Sequence, residues 1–145
     1  MEPVFDDACI NDIEEIERIE GLCFSIPWTR EQLEMQLGGG YIFIAARDGE
    51  RPVGYVGAQC VLDEGYISNV AVSPKYRRLG IGEGLMRTLE RRARERKLSF
   101  LTLEVRASNH AAVSLYEKCG YKTVGRRKNY YSHPKEDAII MTLEM

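Results

Sequence analysis

Apolar residues recur with two different periods along this chain, and the points where the period changes mark its elements. Ile13, Ile16, Ile19 and Cys23 fall three or four apart, near one face of a helix over about 12–23 that Asn11 or Asp12 can cap. Pro27 ends that unit. Thr29 and Gln32 then fit a capping box for a second helix over about 30–37. Gly38, Gly39 and Gly40 stop it, because three successive glycines cost too much backbone entropy inside a helix. A short strand over 2–7 precedes these helices, and three strands follow them. The first, 41–47, leads into an Asp48-Gly49 hairpin turn; the second is 53–62; Asp63-Glu64-Gly65 turns the chain into the third, 66–72. Pro74 ends the meander and the period lengthens. Ile81, Leu85, Leu89 and Ala93 recur every fourth residue with charges between them, which predicts a helix over 81–97 packed on one side. A strand over 99–105 comes next. Asn109 can cap a further helix with Ala112, Leu115 and Cys119 as its buried stripe and Gly120 as its stop. The runs 121–131 and 136–143 close the chain as a strand pair.

The resulting order, β-α-α-β-β-β-α-β-α-β-β, contains one crossover, strand 66–72 to helix 81–97 to strand 99–105. Such a unit makes its two strands parallel and is right-handed. The expectation is an α/β fold: one domain over 1–145, with a mixed sheet of about seven strands flanked by four helices. Ligands are expected where parallel strands end and helices begin.

Composition narrows the class. Hydrophobic content of 44% and charged content of 29% suit a soluble globular protein that needs no disulfide or metal staple at this length. The start lacks the basic stretch and apolar run of a secretory signal, and no run approaches the roughly 18 apolar residues of a membrane span. A cytoplasmic protein without membrane contact is therefore expected. Cys9, Cys23, Cys60 and Cys119 match no zinc spacing, and neither His110 nor His133 completes one, so no metal is expected. The net charge of −2 conceals a segregation: residues 1–40 hold ten acids and two arginines, whereas residues 75–97 hold nine bases and three acids. Much of this is solvated helix face. The basic stretch still suits a polyanionic cofactor and the acidic stretch a cationic substrate. The basic helix face carries no interleaved aromatics, which argues against nucleic acid.

The junction between strand 66–72 and helix 81–97 carries the clearest chemistry. Arg77, Arg78, Leu79, Gly80, Ile81, Gly82 and Glu83 lead into the first turn of that helix. Free N–H groups and the positive helix end make an anion site there, and glycine lets phosphate oxygens approach the backbone. Tight packing would equally place glycines at such a junction. The spacing is wrong for a dinucleotide loop, and no G-x-x-x-x-G-K-[ST] occurs.

Arg77-x-x-Gly80-x-Gly82 after Val70-Ala71-Val72, followed about thirty residues on by Asn109-x-x-Ala112-x-x-Leu115-Tyr116 and Gly120-Tyr121, resembles the GNAT superfamily of acetyl-CoA-dependent N-acetyltransferases. Within it the chain resembles the bacterial ribosomal-protein-alanine N-acetyltransferases, on Pro27-Trp28, the run Leu103 to Asn109, Arg127-Lys128-Asn129-Tyr130-Tyr131 and the run Glu136 to Met141. The resemblance spans nearly the full length. It implies the acyl-CoA N-acyltransferase fold and transfer of acetyl to a protein N-terminus, that of a basic small-subunit ribosomal protein beginning with alanine. Transfer to another amine, or a coenzyme A-binding module without turnover, are the competing readings.

By the same resemblance, Val70, Ala71 and Val72 and residues 77–83 hold acetyl-CoA, with main-chain N–H groups near Val70 polarising the thioester carbonyl. Glu104 is the general base and Tyr116 the leaving-group partner. Asn109 is a cap that also contacts coenzyme A, or a cap alone. Trp28, Tyr130 and Tyr131 wall the substrate slot, or pack as ordinary aromatics. An α-amine has a pKa of about 7.7–8 and a free Glu about 4.3, so Glu104 is expected to be tuned upward by burial or to work through water. It could instead be a surface carboxylate paired with Arg106. Phase places Tyr116 beside the buried stripe, where it either packs or reaches the thiol. Cys119 fits the core, which favours direct attack over an acyl-cysteine. Glu14, Glu15, Glu17, Glu20, Glu31 and Glu34 form an acidic rim suited to a basic peptide.

Overall fold

A computed structural model describes residues 1–145. Its elements are β1 (Val4–Asp7), α1 (Ile13–Cys23), α2 (Arg30–Met35), β2 (Tyr41–Asp48), β3 (Arg51–Val61), β4 (Glu64–Val72), α3 (Ile81–Glu95), β5 (Phe100–Arg106), α4 (His110–Lys118), β6 (Lys122–Ser132) and β7 (Lys135–Glu144). The seven strands form one sheet in the order β1-β2-β3-β4-β5-β7-β6. All neighbours are antiparallel except β4 and β5, the pair joined through α3.

Two clusters of apolar side chains lie on opposite faces of this sheet. Ile13, Ile16 and Ile19 of α1 and Leu33 of α2 pack with Phe43, Tyr55 and Ala71. Ile81, Leu85 and Leu89 of α3 pack with Ile42, Ile44, Leu101, Leu103, Val105, Tyr116 and Met141. Alternate residues of β2 therefore enter different clusters, which is why its sequence reads as an unbroken apolar run. The Thr29–Gln32 capping box forms as expected, Gln32 N–H donating to Thr29 Oγ1 at 3.2 Å and Thr29 N–H to Gln32 Oε1 at 2.8 Å.

Three local expectations are corrected. Asp12 does not cap α1 through its side chain. Its carboxylate accepts from Cys9 N–H at 2.8 Å and from both terminal nitrogens of Arg47, at 2.5 and 2.7 Å, fastening the chain before α1 to β2. Glu64 and Gly65 are strand residues rather than turn residues. Gly65 is needed where β5 joins β4, since a Cβ there would stand 2.7 Å from a Leu101 methyl and 3.3 Å from the Phe100 carbonyl oxygen. Tyr116 is not beside the buried face of α4: it is buried, at 8% exposure, while Ala112 and Leu115 are only half-buried.

Gly84 fits α3 against the first strand. A Cβ there would lie 2.1 Å from the Phe5 ring. Gly84→Leu is expected to displace Phe5 and lower stability by about 1–3 kcal/mol, the usual cost of overpacking. Urea denaturation checks this, and a midpoint at or above that of the parent protein would contradict it.

Candidate active site

The parallel pairing of β4 with β5 is brief. It runs only through Glu64–Phe100, Gly65–Leu101 and Tyr66–Thr102. Beyond Tyr66 the two strands separate, leaving the β5-facing backbone groups of the rest of β4 without a strand partner. A β-bulge helps to open the gap. Gly57 pairs with Asn69 and Ala58 with Ile67, so Ser68 is an extra residue on β4. Ser68 Oγ is held by the Gly57 carbonyl at 3.1 Å and by Gln36 Oε1 at 3.2 Å, which ties the end of α2 to the bulge. Val70 and Val72, on the parted segment, are half-buried toward the α3 side, and Ala71 is buried toward α1.

Both separated strands end at the same edge of the sheet, each feeding a helix. After β4 the chain enters α3 through a loop with Arg78 at φ 63° and Gly80 at φ 80°. The first main-chain hydrogen bond of α3 is Gly84 N–H to the Gly80 carbonyl, at 3.0 Å. The amide N–H groups of Arg78, Leu79, Gly80, Ile81, Gly82 and Glu83 have no partner in the protein. Six successive open donors at a helix N-terminus form a nest for an anion. A Cβ on Gly80 would meet nothing within 4 Å, so this nest faces open space. The side chains divide their tasks. Arg77 turns back toward the Val72 carbonyl at 3.3 Å and Cys23 Sγ at 3.5 Å, and Glu83 is committed to Lys118 at 3.0 Å. Arg78 and Leu79 are exposed. After β5, Asn109 caps α4, its Oδ1 accepting from Ala112 N–H at 3.2 Å.

Glu104 and Tyr116 stand on opposite faces of the sheet. On β5, Leu101, Leu103 and Val105 are buried toward α3, so Thr102 and Glu104 face the α1 side. Glu104 is exposed on that side. Arg106 is not its partner. Arg127 Nε lies 3.1 Å from Glu104 Oε2, whereas Arg106 bonds Glu136 at 3.2 Å and the carbonyls of His133 and Pro134. Arg106 also stacks over Tyr131, 4.3 Å from the ring centroid, and Tyr131 meets Tyr130 edge to face at 5.0 Å. Burial, then the neighbouring Tyr130 and Glu104, push the Tyr131 phenol up to about 12. The Tyr130 phenol is raised by burial and then by the Glu104 charge.

On the other face the Tyr116 ring packs 6.1 Å from Tyr121. Burial, then Tyr131 and Cys119, push its phenol up to about 12. Tyr121 Oη is sealed without a partner, but Tyr116 Oη is not among the sealed atoms and makes no hydrogen bond within the protein. It therefore keeps an outlet. Trp28 stays with the α1–α2 cluster, apart from the tyrosine pair. Its loop meets the β6–β7 turn instead through Ser25 Oγ, which donates to the His133 carbonyl at 3.4 Å.

One buried group near this site was not anticipated. Glu20 is fully buried, and its carboxylate accepts from Trp28 N–H at 3.1 Å, from the Tyr55 hydroxyl and from Asn69 Nδ2. It has no cationic partner. Its signal was in the sequence: Glu20 continues the spacing of Ile13 and Ile16, so it is an acid within an apolar stripe. The acidic rim shrinks accordingly. Glu20 is inside, Glu15 pairs with Arg18 and Arg51, and Glu17 pairs with Arg30. Glu14, Glu31 and Glu34 remain exposed.

Burial raises the Glu20 pKa, with the bonds from Trp28 and Asn69 opposing it. A carboxyl raised in the folded state favours folding when protonated, and that contribution fades as pH rises through the raised value. Relative to Glu20→Gln, the parent protein is therefore expected to lose stability between pH 4 and pH 7. Urea titrations of both proteins at the two pH values check the sign, and a difference that grows in favour of the parent contradicts it.

A parallel strand pair parted in this way, followed by open N–H groups at a helix N-terminus, makes a cleft with a built anion site. The chain belongs to the acetyltransferase (GNAT) family, whose model matches residues 13–121, and is an N-acetyltransferase. It is 36% identical over 134 residues to the [ribosomal protein bS18]-alanine N-acetyltransferase of Escherichia coli K12, covering 91% of this chain and 90% of that one. The crystal structure of the ribosomal-protein-S18-alanine N-acetyltransferase from Escherichia coli superposes with a TM-score of 0.92 at 33% identity, covering 99% of this chain and 94% of that one. The fold is shared with Arabidopsis thaliana NAA60 in complex with acetyl-CoA, at a TM-score of 0.90 and 23% identity over 99% of this chain and 100% of that one. No helix is long and apolar enough to cross a membrane, and no group of His, Cys, Asp and Glu is placed to hold a metal ion.

Proposed function

We propose that this enzyme binds acetyl-CoA in the gap between β4 and β5 and transfers the acetyl group to the N-terminal amine of a ribosomal protein beginning with alanine. The observation that carries the reading is the restriction of β4–β5 pairing to three residue pairs, on a strand that leads into six open N–H donors. The donors from Arg78 to Glu83 receive the pyrophosphate, with Arg78 adding charge. The pantetheine arm runs along Val70, Ala71 and Val72 in the manner of an added strand, and Asn109 borders it from α4. Unpaired main-chain N–H groups of β4 polarise the thioester carbonyl.

The acceptor enters from the α1 side, between the loop that carries Trp28 and the pair Tyr130–Tyr131. Its α-ammonium first loses a proton toward Glu104, and the resulting amine attacks the carbonyl carbon directly in a ternary complex. The carbon–nitrogen bond forms as the carbon–sulfur bond breaks, the second proton of the nitrogen passes to water, and coenzyme A leaves as thiolate. An exposed Glu104 suits transfer through a water chain better than direct contact. Against a free thiol near 8.5, a Tyr116 phenol near 12 makes complete proton donation uphill by roughly 5 kcal/mol. Its role is a hydrogen bond to the developing thiolate. Buried Cys119, whose thiol is itself pushed up by burial, is a poor acyl carrier. The exposed Glu14, Glu31 and Glu34 favour a basic peptide body.

Incubation of the enzyme and acetyl-CoA with lysate lacking the activity, followed by mass spectrometry of protein N-termini, tests the acceptor. Acetylation concentrated on one basic ribosomal protein with N-terminal alanine is expected. Acetylation of lysine side chains without N-termini would overturn the assignment.

A further inference from the structure

The partner of Glu104 has its own consequence, one that rests on the reading of Glu104 as the carboxylate facing the acceptor amine. Without an acceptor, that carboxylate is already occupied by a cation. Arg127 reaches it from β6, the edge strand, across the whole width of β7. Glu104 pairs with Ile140 and Ile140 with Gly125, so Arg127, two residues beyond Gly125, lies on the same face of the sheet as Glu104. Arg127 pairs with Ala138 and Tyr131 with Glu136, so four steps along β6 match two along β7. Within that stretch Asn129 stands at φ 54°, its N–H held by Asp137 Oδ1 at 2.9 Å. The Arg127 side chain is 58% exposed and that of Glu104 31% exposed. A second seat is close by, since the Arg127 guanidinium carbon lies 5.9 Å from the Tyr130 ring centroid. The other nearby cation, Arg106, is fixed by Glu136, two carbonyls and Tyr131.

We propose that Arg127 is a positioning residue that stands in for the acceptor ammonium on Glu104 and is displaced by it. An ammonium entering the slot exchanges one ion pair for another, and the guanidinium moves toward the Tyr130 face, where a cation is still favoured. The exchange is inexpensive because an ion pair this exposed is weak. Its effect falls on acceptor binding. Every acceptor must compete with Arg127, so amines that present a full positive charge at Glu104 are selected over neutral groups of similar shape.

Steady-state kinetics of Arg127→Met with a peptide acceptor test this. KM for the peptide is expected to fall about three- to fivefold, with kcat moved much less and KM for acetyl-CoA unaffected. Arg127→Lys keeps a cation and should lie between Met and the parent. The peptide KM of Arg127→Met should rise more steeply with added salt than that of the parent, where one pair is exchanged for another. A peptide KM that is unchanged or raised in Arg127→Met overturns the proposal, because an arginine that merely braced β6 or recruited the acceptor would give one of those results. Glu104→Gln separates the two levels. If it loses turnover while Arg127→Met leaves KM alone, only the stand-in role fails; if it keeps full kcat/KM, the reading of Glu104 fails first.

Discussion

Glu104→Gln is expected to lower kcat/KM for a peptide acceptor by about a hundredfold or more near neutral pH, within the range usual for loss of a general base. The amide keeps the shape of the side chain but cannot take the proton that the α-ammonium must lose. The deficit should narrow toward pH 9, because an amine with a pKa of about 7.7–8 is then mostly uncharged without help. Folding should be nearly unaffected, since Glu104 is exposed and its one ion pair is of the weak surface kind. Initial rates from pH 6 to 9 supply the check. A variant equal to the parent across that range removes Glu104 from the mechanism.

Tyr116→Phe is the second large effect. Deleting the hydroxyl removes one hydrogen bond to a developing thiolate, worth about 10- to 100-fold in kcat for a bond to a charged group, with KM for both substrates changing less. Stability should hold, because the hydroxyl has no partner inside the protein. Tyr121→Phe is the control. Its hydroxyl is sealed and unpartnered, so its loss should raise stability while turnover stays near that of the parent. Rapid-mixing and steady-state assays of released thiol distinguish the two. An unchanged kcat in Tyr116→Phe would reduce Tyr116 to a packing residue.

The sequence was most legible where one residue type answers one physical demand. The period change at Pro74 placed α3, and the glycines at 80 and 82 marked the turn into it. The resemblance singled out Glu104 on β5, but its face, opposite buried Leu103 and Val105, came from the structure. Position along a strand says little about what lies across it, however. Arg127 was hidden as a partner for Glu104 because the two meet across β7, and only the registers of β5 and β6 on β7 bring them together. Arg106, the nearer arginine in sequence, was drawn instead to Glu136 and Tyr131. Tyr116 was misplaced by a helical phase reckoned from Ala112 and Leu115, which pack only partly. The burial of Glu20 could have been read from its spacing. Its hydrogen-bond partners could not, because Tyr55 and Asn69 reach it only once β3 and β4 are paired.

Every step proposed above requires an opening between β4 and β5 that accepts an acyl carrier. Titration of the isotope-labelled protein with coenzyme A, followed by amide NMR, tests this directly. The largest shifts are expected at Arg78–Glu83 and along Val70–Val72, with smaller ones at Asn109. Shifts centred elsewhere, with those amides unmoved at saturation, would contradict it.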